Sequence, residues 1–132
     1  MQHYKLWCKN KNGWEKDNWC ILPEGVLWDL GHGILMKKDN YILVHGSGLV
    51  IKGNKELFEG DVYQKNGYIY VVEYSQIDGF YYRLIYDDWL GWNVYKNNKR
   101  SWLHMTDYDA KKCELIGNIF ENPELLEYEG EE

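Results

Sequence analysis

The residues here whose types could do chemistry are four histidines, His3, His32, His45 and His104, and two aspartate pairs, Asp87-Asp88 and Asp107/Asp109. A metal shell or acid–base centre needs such groups to converge, which a sequence announces by spacings such as His-x-x-x-His or His-Glu-x-x-His. No histidine stands at such a spacing, and neither aspartate pair has a third oxygen donor placed for Mg²⁺ or Ca²⁺. Gly31-His32-Gly33 and Val44-His45-Gly46 put two imidazoles in glycine-flanked turns, where exposure to water is the expected state. Gly31-x-Gly33 and Gly46-x-Gly48 lack the following helix whose N-terminus would bind a phosphate. There is no strained serine elbow and no phosphate-binding loop. The expectation is a chain with no catalytic residues, no metal and no cofactor, hence not an enzyme.

The aromatic residues are the better candidates. The chain has 12 Tyr and 7 Trp against only 3 Phe, a balance that suits half-buried sheet faces and contact surfaces, since both rings carry a polar tip on an apolar body. Trp89 and Trp92, in the polar stretch Asp87–Trp92, are the expected anchors of a protein contact, with Tyr70 and Tyr82 as sheet-borne partners. The expected partner is another protein or a second copy of the chain. Single-stranded nucleic acid stacking on an aromatic sheet face is the alternative. Lys65–Tyr74 echoes the RNA-stacking strand of RNA-recognition domains, but Asn66 is inserted, Ile69 replaces a small residue and Glu73 stands at a stacking position. Charge also argues against nucleic acid. Of 21 acidic residues six lie in the last twelve positions, leaving 15 against 15 basic ones over residues 1–120, and a neutral body does not track phosphates.

Short apolar runs between turn signals must position these groups. Lys11-Asn12-Gly13 and Pro23-Glu24-Gly25 read as turns. Tyr41–Val44 and Leu49–Ile51 read as two short strands separated by glycines. Asn66-Gly67 is the preferred pair of a two-residue type I′ hairpin, joining Val62–Gln64 to Tyr68–Tyr74, and Asp78-Gly79 turns into Phe80–Tyr86. Alternation puts Tyr68, Tyr70, Val72 and Tyr74 on one face, opposite Ile69, Val71 and Glu73. In the next strand it groups Phe80, Tyr82, Leu84 and Tyr86, opposite Tyr81, Arg83 and Ile85. Both faces are largely apolar, so the sheet is covered on both sides or curls into a barrel. Asn122-Pro123-Glu124 has the chemistry to start one helical turn, Asn122–Glu127. The fold class expected is all-β: a small antiparallel meander or barrel-like domain with at most one or two short helical turns, one at the C-terminus.

A length of 132 residues suits one core, read as a single domain over 1–127 with a charged, disordered tail at 128–132. Cys8, Cys20 and Cys113 are odd in number and far apart. Met1–Lys9 has no apolar run, and no stretch nears the ~20 apolar residues that span a bilayer. The expected setting is therefore a reducing cytoplasm, away from membranes.

Two stretches carry a family resemblance. Ile116-Gly117-Asn118-Ile119-Phe120-Glu121-Asn122-Pro123-Glu124-Leu125-Leu126 resembles the C-terminal signature of the YopX family of phage and prophage proteins. Gly53-Asn54-Lys55-Glu56-Leu57-Phe58-Glu59-Gly60-Asp61-Val62 is similar to that family's stretch ending in Glu-Gly-Asp. Tyr4-Lys5-Leu6-Trp7 is similar to its basic and aromatic start, with Cys8 in place of the family's usual aspartate. The resemblance implies a small, mostly β fold, a phage origin and action in the bacterial host cytoplasm; in that setting the protein partner expected from the surplus of Tyr and Trp is a host or phage protein. The resemblance supplies no catalytic or binding residues.

Overall fold

The computed structural model describes residues 4–16, 19–22, 26–87, 91–92, 101–102 and 105–126, with the backbone alone for Lys38, Asp87, Gly91, Trp92, Ser101, Trp102 and Leu126. The chain gathers into two compact units, one of Tyr4–Val44 and one built from His45 onward. Both are built from antiparallel strands.

In the N-terminal unit, β1 (Tyr4–Cys8) turns back into β2 (Gly13–Trp14). Asn12 takes the left-handed conformation, φ 54°, so the Asn-Gly pair ends a four-residue loop instead of forming a two-residue one. Trp7 stands directly opposite Trp14. Their rings meet edge to face at 4.9 Å, and the Lys5 ammonium lies 5.3 Å from the Trp14 ring. A meander of β3 (Trp19–Leu22), β4 (Val26–Asp29) and β5 (Ile34–Leu35) follows. Leu22 pairs with Val26, so the flanks of the Pro23-Glu24-Gly25 turn are in place, while the turn itself lies outside the described residues. A 3-10 turn at Lys38–Asn40 leads into β6 (Tyr41–Ile51), whose first residues belong to this unit.

The two short strands expected at 41–44 and 49–51 are one strand, β6, running through Gly46 and Gly48. Its pairing with β7 (Lys55–Phe58) slips between Gly46 and Val50. Side chains take over there: the Ser47 hydroxyl donates to Leu57 O at 2.6 Å, and Glu56 Oε2 accepts from Gly48 N at 2.9 Å. Satisfying the freed backbone groups in this way lets a glycine-bearing strand continue where glycine alone reads as a break.

The principal sheet has the order β11-β10-β9-β8-β13, formed by β8 (Asp61–Lys65), β9 (Tyr68–Ser75), β10 (Gly79–Asp87), β11 (Gly91–Trp92) and β13 (Glu114–Asn118), and β12 (Ser101–Trp102) also pairs with β10. The Asn66-Gly67 turn is as expected: Lys65 pairs with Tyr68, and the two turn residues have φ of 54° and 85°. The polar stretch Asp87–Trp92 is partly strand, with Trp92 opposite Tyr86 and Gly91 opposite Asp87. The Asp107/Asp109 pair opens the short helix α1 (Asp107–Ala110). Pro123–Leu126 forms the expected C-terminal turn, of 3-10 type.

The sheet is apolar on both faces. Tyr63, Val72 and Tyr82 pack with Ile51, Leu57, Ala110 and Cys113 on one side. Val62, Val71 and Ile85 pack beneath Ile119 and Leu125 on the other. Each buried Val, Leu or Ile among them contributes roughly 1.5–3 kcal/mol by leaving water. Alternation held along β9 but failed for Tyr86: a bulge sets Leu84 opposite Tyr70 and Tyr86 opposite Ile69, which moves Tyr86 off the face of Tyr82.

Candidate functional site

The groups singled out for chemistry are held in pairs that build structure. His45 is not in a turn but within β6, half-buried, with Glu59 Oε1 accepting from its Nδ1 at 2.9 Å and from its backbone N at 3.2 Å. Its ring meets Tyr74 edge-on at 4.0 Å. His32 is exposed in the β4–β5 turn as expected, and Asp29 holds it. One Asp29 oxygen accepts from Gly31 N and His32 N at 2.9 and 3.1 Å, and the other lies 3.0 Å from His32 Nδ1. These hydrogen bonds, the imidazole's first, hold the Asp29 carboxyl below the usual carboxylate range. Thr106 caps α1 by accepting from Asp109 N at 3.1 Å, and its hydroxyl donates back to the Asp109 carboxylate at 2.9 Å. On the sheet, Arg83 pairs with Glu73, which also accepts from the Tyr81 hydroxyl at 3.3 Å. No group of three or more His, Cys, Asp or Glu that could hold a metal occurs among the described residues.

Of the four aromatic candidates, Tyr70 and Tyr82 have described side chains. Trp89 lies outside the described residues, and Trp92 is placed only as the backbone partner of Tyr86. Tyr82 is 4% exposed and packs in the core. Tyr70 is half-buried, stacked on Tyr63 with centroids 5.2 Å apart. Tyr74 stacks on Phe80 at 4.9 Å. The Tyr70 and Tyr74 rings are thus stacked on neighbouring rings of their own sheet.

A surface that sequence reasoning missed lies in the N-terminal unit. Leu30, Ile34 and Leu35 on the β4–β5 hairpin are 55%, 57% and 60% exposed, and Val26 on β4 is 38% exposed. Beside them runs a two-lobed groove. One lobe, about 290 Å³, is lined by Ile34, Leu35, Met36, Lys37, Asn40 and Tyr41 together with Asp29. The other, about 280 Å³, is lined by Lys11, Glu15, Gly31 and His32 and shares Asp29, Met36 and Tyr41 with the first. Lys11 and Glu15 form an ion pair at 2.7 Å on its wall, and that contact raises the lysine's pKa. Burial raises the Tyr41 phenol, so its hydroxyl stays protonated and can donate or accept. The arrangement is an apolar ledge with a polar end: it can hold a chain segment, and it brings no nucleophile beside a free base.

The two motif stretches noted in the sequence meet in the C-terminal unit. Gly60 has φ +87°, and a Cβ placed there would lie 2.5 Å from Phe120 Cε2 and 3.1 Å from Ile119. Ile119 N donates to Gly60 O at 2.9 Å, and Gly60 N donates to Val72 O at 2.7 Å. Asp61, 5% exposed, accepts from Phe58 N at 2.8 Å and closes the Glu-Gly-Asp turn. A Cβ at Gly117 would stand 2.6 Å from the Asn122 side-chain oxygen, so that glycine admits the final turn. Both motifs serve closure of the fold.

A small antiparallel β protein whose two motif stretches lock its principal sheet is the class these features define. The chain belongs to the YopX protein family: the family model described as "YopX protein" matches residues 6–127. Among solved structures it is similar to protein EF1440 from Enterococcus faecalis, at 19% identity and a TM-score of 0.55, over 96% of this chain and 98% of that one. That likeness supports the fold. No curated protein matches the chain, and no helix among the described residues is long and apolar enough to cross a membrane.

Proposed function

We propose that this YopX-family protein is a non-catalytic protein-interaction module, a phage or prophage accessory protein working in the bacterial host cytoplasm. Its working surface in this reading is the β4–β5 ledge of Leu30, Ile34 and Leu35 with the groove beside it. The observation that carries the reading is the exposure of three adjacent large aliphatic residues beside a groove. Single exposed apolar residues are ordinary, whereas several large ones gathered on one short hairpin beside a groove favour a contact role. Support for a non-catalytic role comes from the groove's titratable groups, since Asp29 is engaged by the turn it builds and Glu15 by Lys11. Trp89 and Trp92 remain a second candidate contact.

The test is affinity capture with the full chain from host cells, with and without phage induction. The triple variant Leu30→Ser, Ile34→Thr, Leu35→Ser is compared with Trp89→Ala, Trp92→Ala. A host or phage protein held by wild type and by the tryptophan variant, but released by the triple variant, supports the ledge. Retention by the triple variant removes it.

A further inference from the structure

Resting on the reading of the ledge as a contact surface, we infer that its groove takes a lysine side chain of the partner protein together with a neighbouring large aliphatic residue. The ammonium sits in the polar lobe and the aliphatic side chain in the apolar one. Asp29, Met36 and Tyr41 line both lobes, so one short stretch of chain fills them together.

The polar lobe has hydrogen-bond acceptors to spare. Glu15 gives Oε1 to the Lys11 ammonium at 2.7 Å, and its side chain is only 18% exposed. Among the described residues nothing donates to Glu15 Oε2. Asp29 Oδ1 accepts from Gly31 N and His32 N, and Oδ2 from His32 Nδ1. A carboxylate oxygen accepts two hydrogen bonds, so Oδ2 keeps one lone pair, on a side chain 26% exposed. The Tyr41 hydroxyl, in the same lobe, has no hydrogen-bond partner among the described residues. Burial foremost raises its pKa, and the negative charges of Glu15 and Asp29 add to that, which places the phenol near both carboxylates. With His32 neutral, two carboxylates against one ammonium leave the lobe negative. An anionic occupant would meet a Lys11 already neutralised by Glu15, whereas a half-buried acceptor gains from a donor brought to it.

The state of these acceptors selects lysine over arginine. A guanidinium binds best when its planar fork takes both oxygens of one carboxylate. Neither carboxylate here has both oxygens unused: one remains on each, beside a phenol. An ammonium carries three donors that rotate freely and serves three separate acceptors. The other lobe, about 290 Å³, is lined by Ile34, Leu35 and Met36. Covering Ile34 and Leu35, both more than half exposed, supplies the apolar share of the affinity.

The isotope-labelled full chain is titrated with acetyl-Ala-Leu-Lys-Ala-amide and acetyl-Ala-Lys-Leu-Ala-amide, and with versions carrying norleucine or arginine in place of lysine. The site is supported by amide shifts gathered at Lys11, Glu15, Gly31, Met36 and Tyr41. Affinity should be about tenfold lower for norleucine and also lower for arginine. Glu15→Gln and Tyr41→Phe, each checked for an unchanged thermal midpoint, are expected to weaken the lysine peptide about tenfold and about threefold. No shift up to about 10 mM peptide, shifts elsewhere, or equal affinity for norleucine or arginine overturns the proposal. Binding of n-butylamine as tight as the peptide would make the groove a receptor for free amines, and self-association through it would make it a contact between copies. Either result overturns the partner's lysine. Capture that the triple ledge variant abolishes and Glu15→Gln leaves intact removes the lysine site while the ledge survives. Peptide binding with capture indifferent to the triple variant supports the lysine site and removes the ledge.

Discussion

The edge of the Phe120 ring rests on the α-carbon of Gly60 so closely that a single added carbon would stand 2.5 Å from its Cε2. One residue belongs to the turn before β8 and the other follows β13. Their fit joins the beginning and end of the sheet's covered face, beside Val62, Val71 and Ile85.

Gly60→Ala is therefore expected to destabilise the C-terminal unit by about 2–4 kcal/mol, from left-handed strain of about 1–2 kcal/mol plus overpacking. Phe120→Leu added to it removes the clash but not the strain. A double-mutant cycle in urea should show coupling of at least about 0.5 kcal/mol. Additive effects would mean that the ring does not rest on the glycine.

The cap of α1 gives a pH-dependent expectation. Thr106→Ala removes the N-cap and costs about 1 kcal/mol at neutral pH. The Asp109 carboxyl is lowered, first by the Thr106 hydroxyl and then by Lys65. A lowered folded value stabilises above the unfolded pKa and is lost as pH falls through the folded one. The gap between wild type and Thr106→Ala should narrow between pH 5 and pH 2, as urea midpoints across that range will show. A constant gap would assign the whole effect to the backbone cap.

Alkaline solution acts through the core. Burial raises the Tyr63 and Tyr82 phenols above their ordinary value. A raised folded value means stability is intact below about pH 10, where unfolded tyrosine ionises, and is lost as pH climbs beyond it. Thermal unfolding between pH 8 and pH 11 should fall steeply for wild type and less steeply for Tyr63→Phe.

Leu35→Thr changes a residue 60% exposed and is expected to leave stability within about 0.5 kcal/mol while lowering partner capture. Oligonucleotides at low salt are expected to leave tryptophan fluorescence unquenched. Quenching that fades with added salt would revive nucleic-acid binding.

What the sequence disclosed followed from how strictly each local conformation demands particular residues. Asn66-Gly67 was legible because a type I′ turn requires positive φ at both positions, and β9 because Tyr68–Tyr74 is a β-branched and aromatic run, broken only by Glu73, between two turns. β6 was not, since Gly46 and Gly48 read as breaks until Ser47 and Glu56 are seen to bind the freed backbone. Tyr86 was misassigned because a one-residue bulge leaves no mark on alternation. Tyr82 and Tyr70 were offered as contacts because both sheet faces are apolar, and pattern alone does not separate a covered face from an open one. The ledge escaped notice because Ile34-Leu35 is too short to show a period. Thr106 before Asp107 was a readable N-cap signal, and it would have placed the start of α1.

The clasp of β13 and Phe120 over the sheet also sets an order of events on the ribosome. Val62, Val71 and Ile85 are made well before Ile119 and Leu125, which cover them. While the chain emerges, the meander of β8 to β10 stands with one apolar face bare, and the edge of β8 lacks its neighbour. The β3–β4–β5 meander, whose pairings are all local, has no such wait. A nascent chain paused before residue 114 would therefore offer chaperones a half-covered sheet, and that interval is when this protein is most exposed to aggregation.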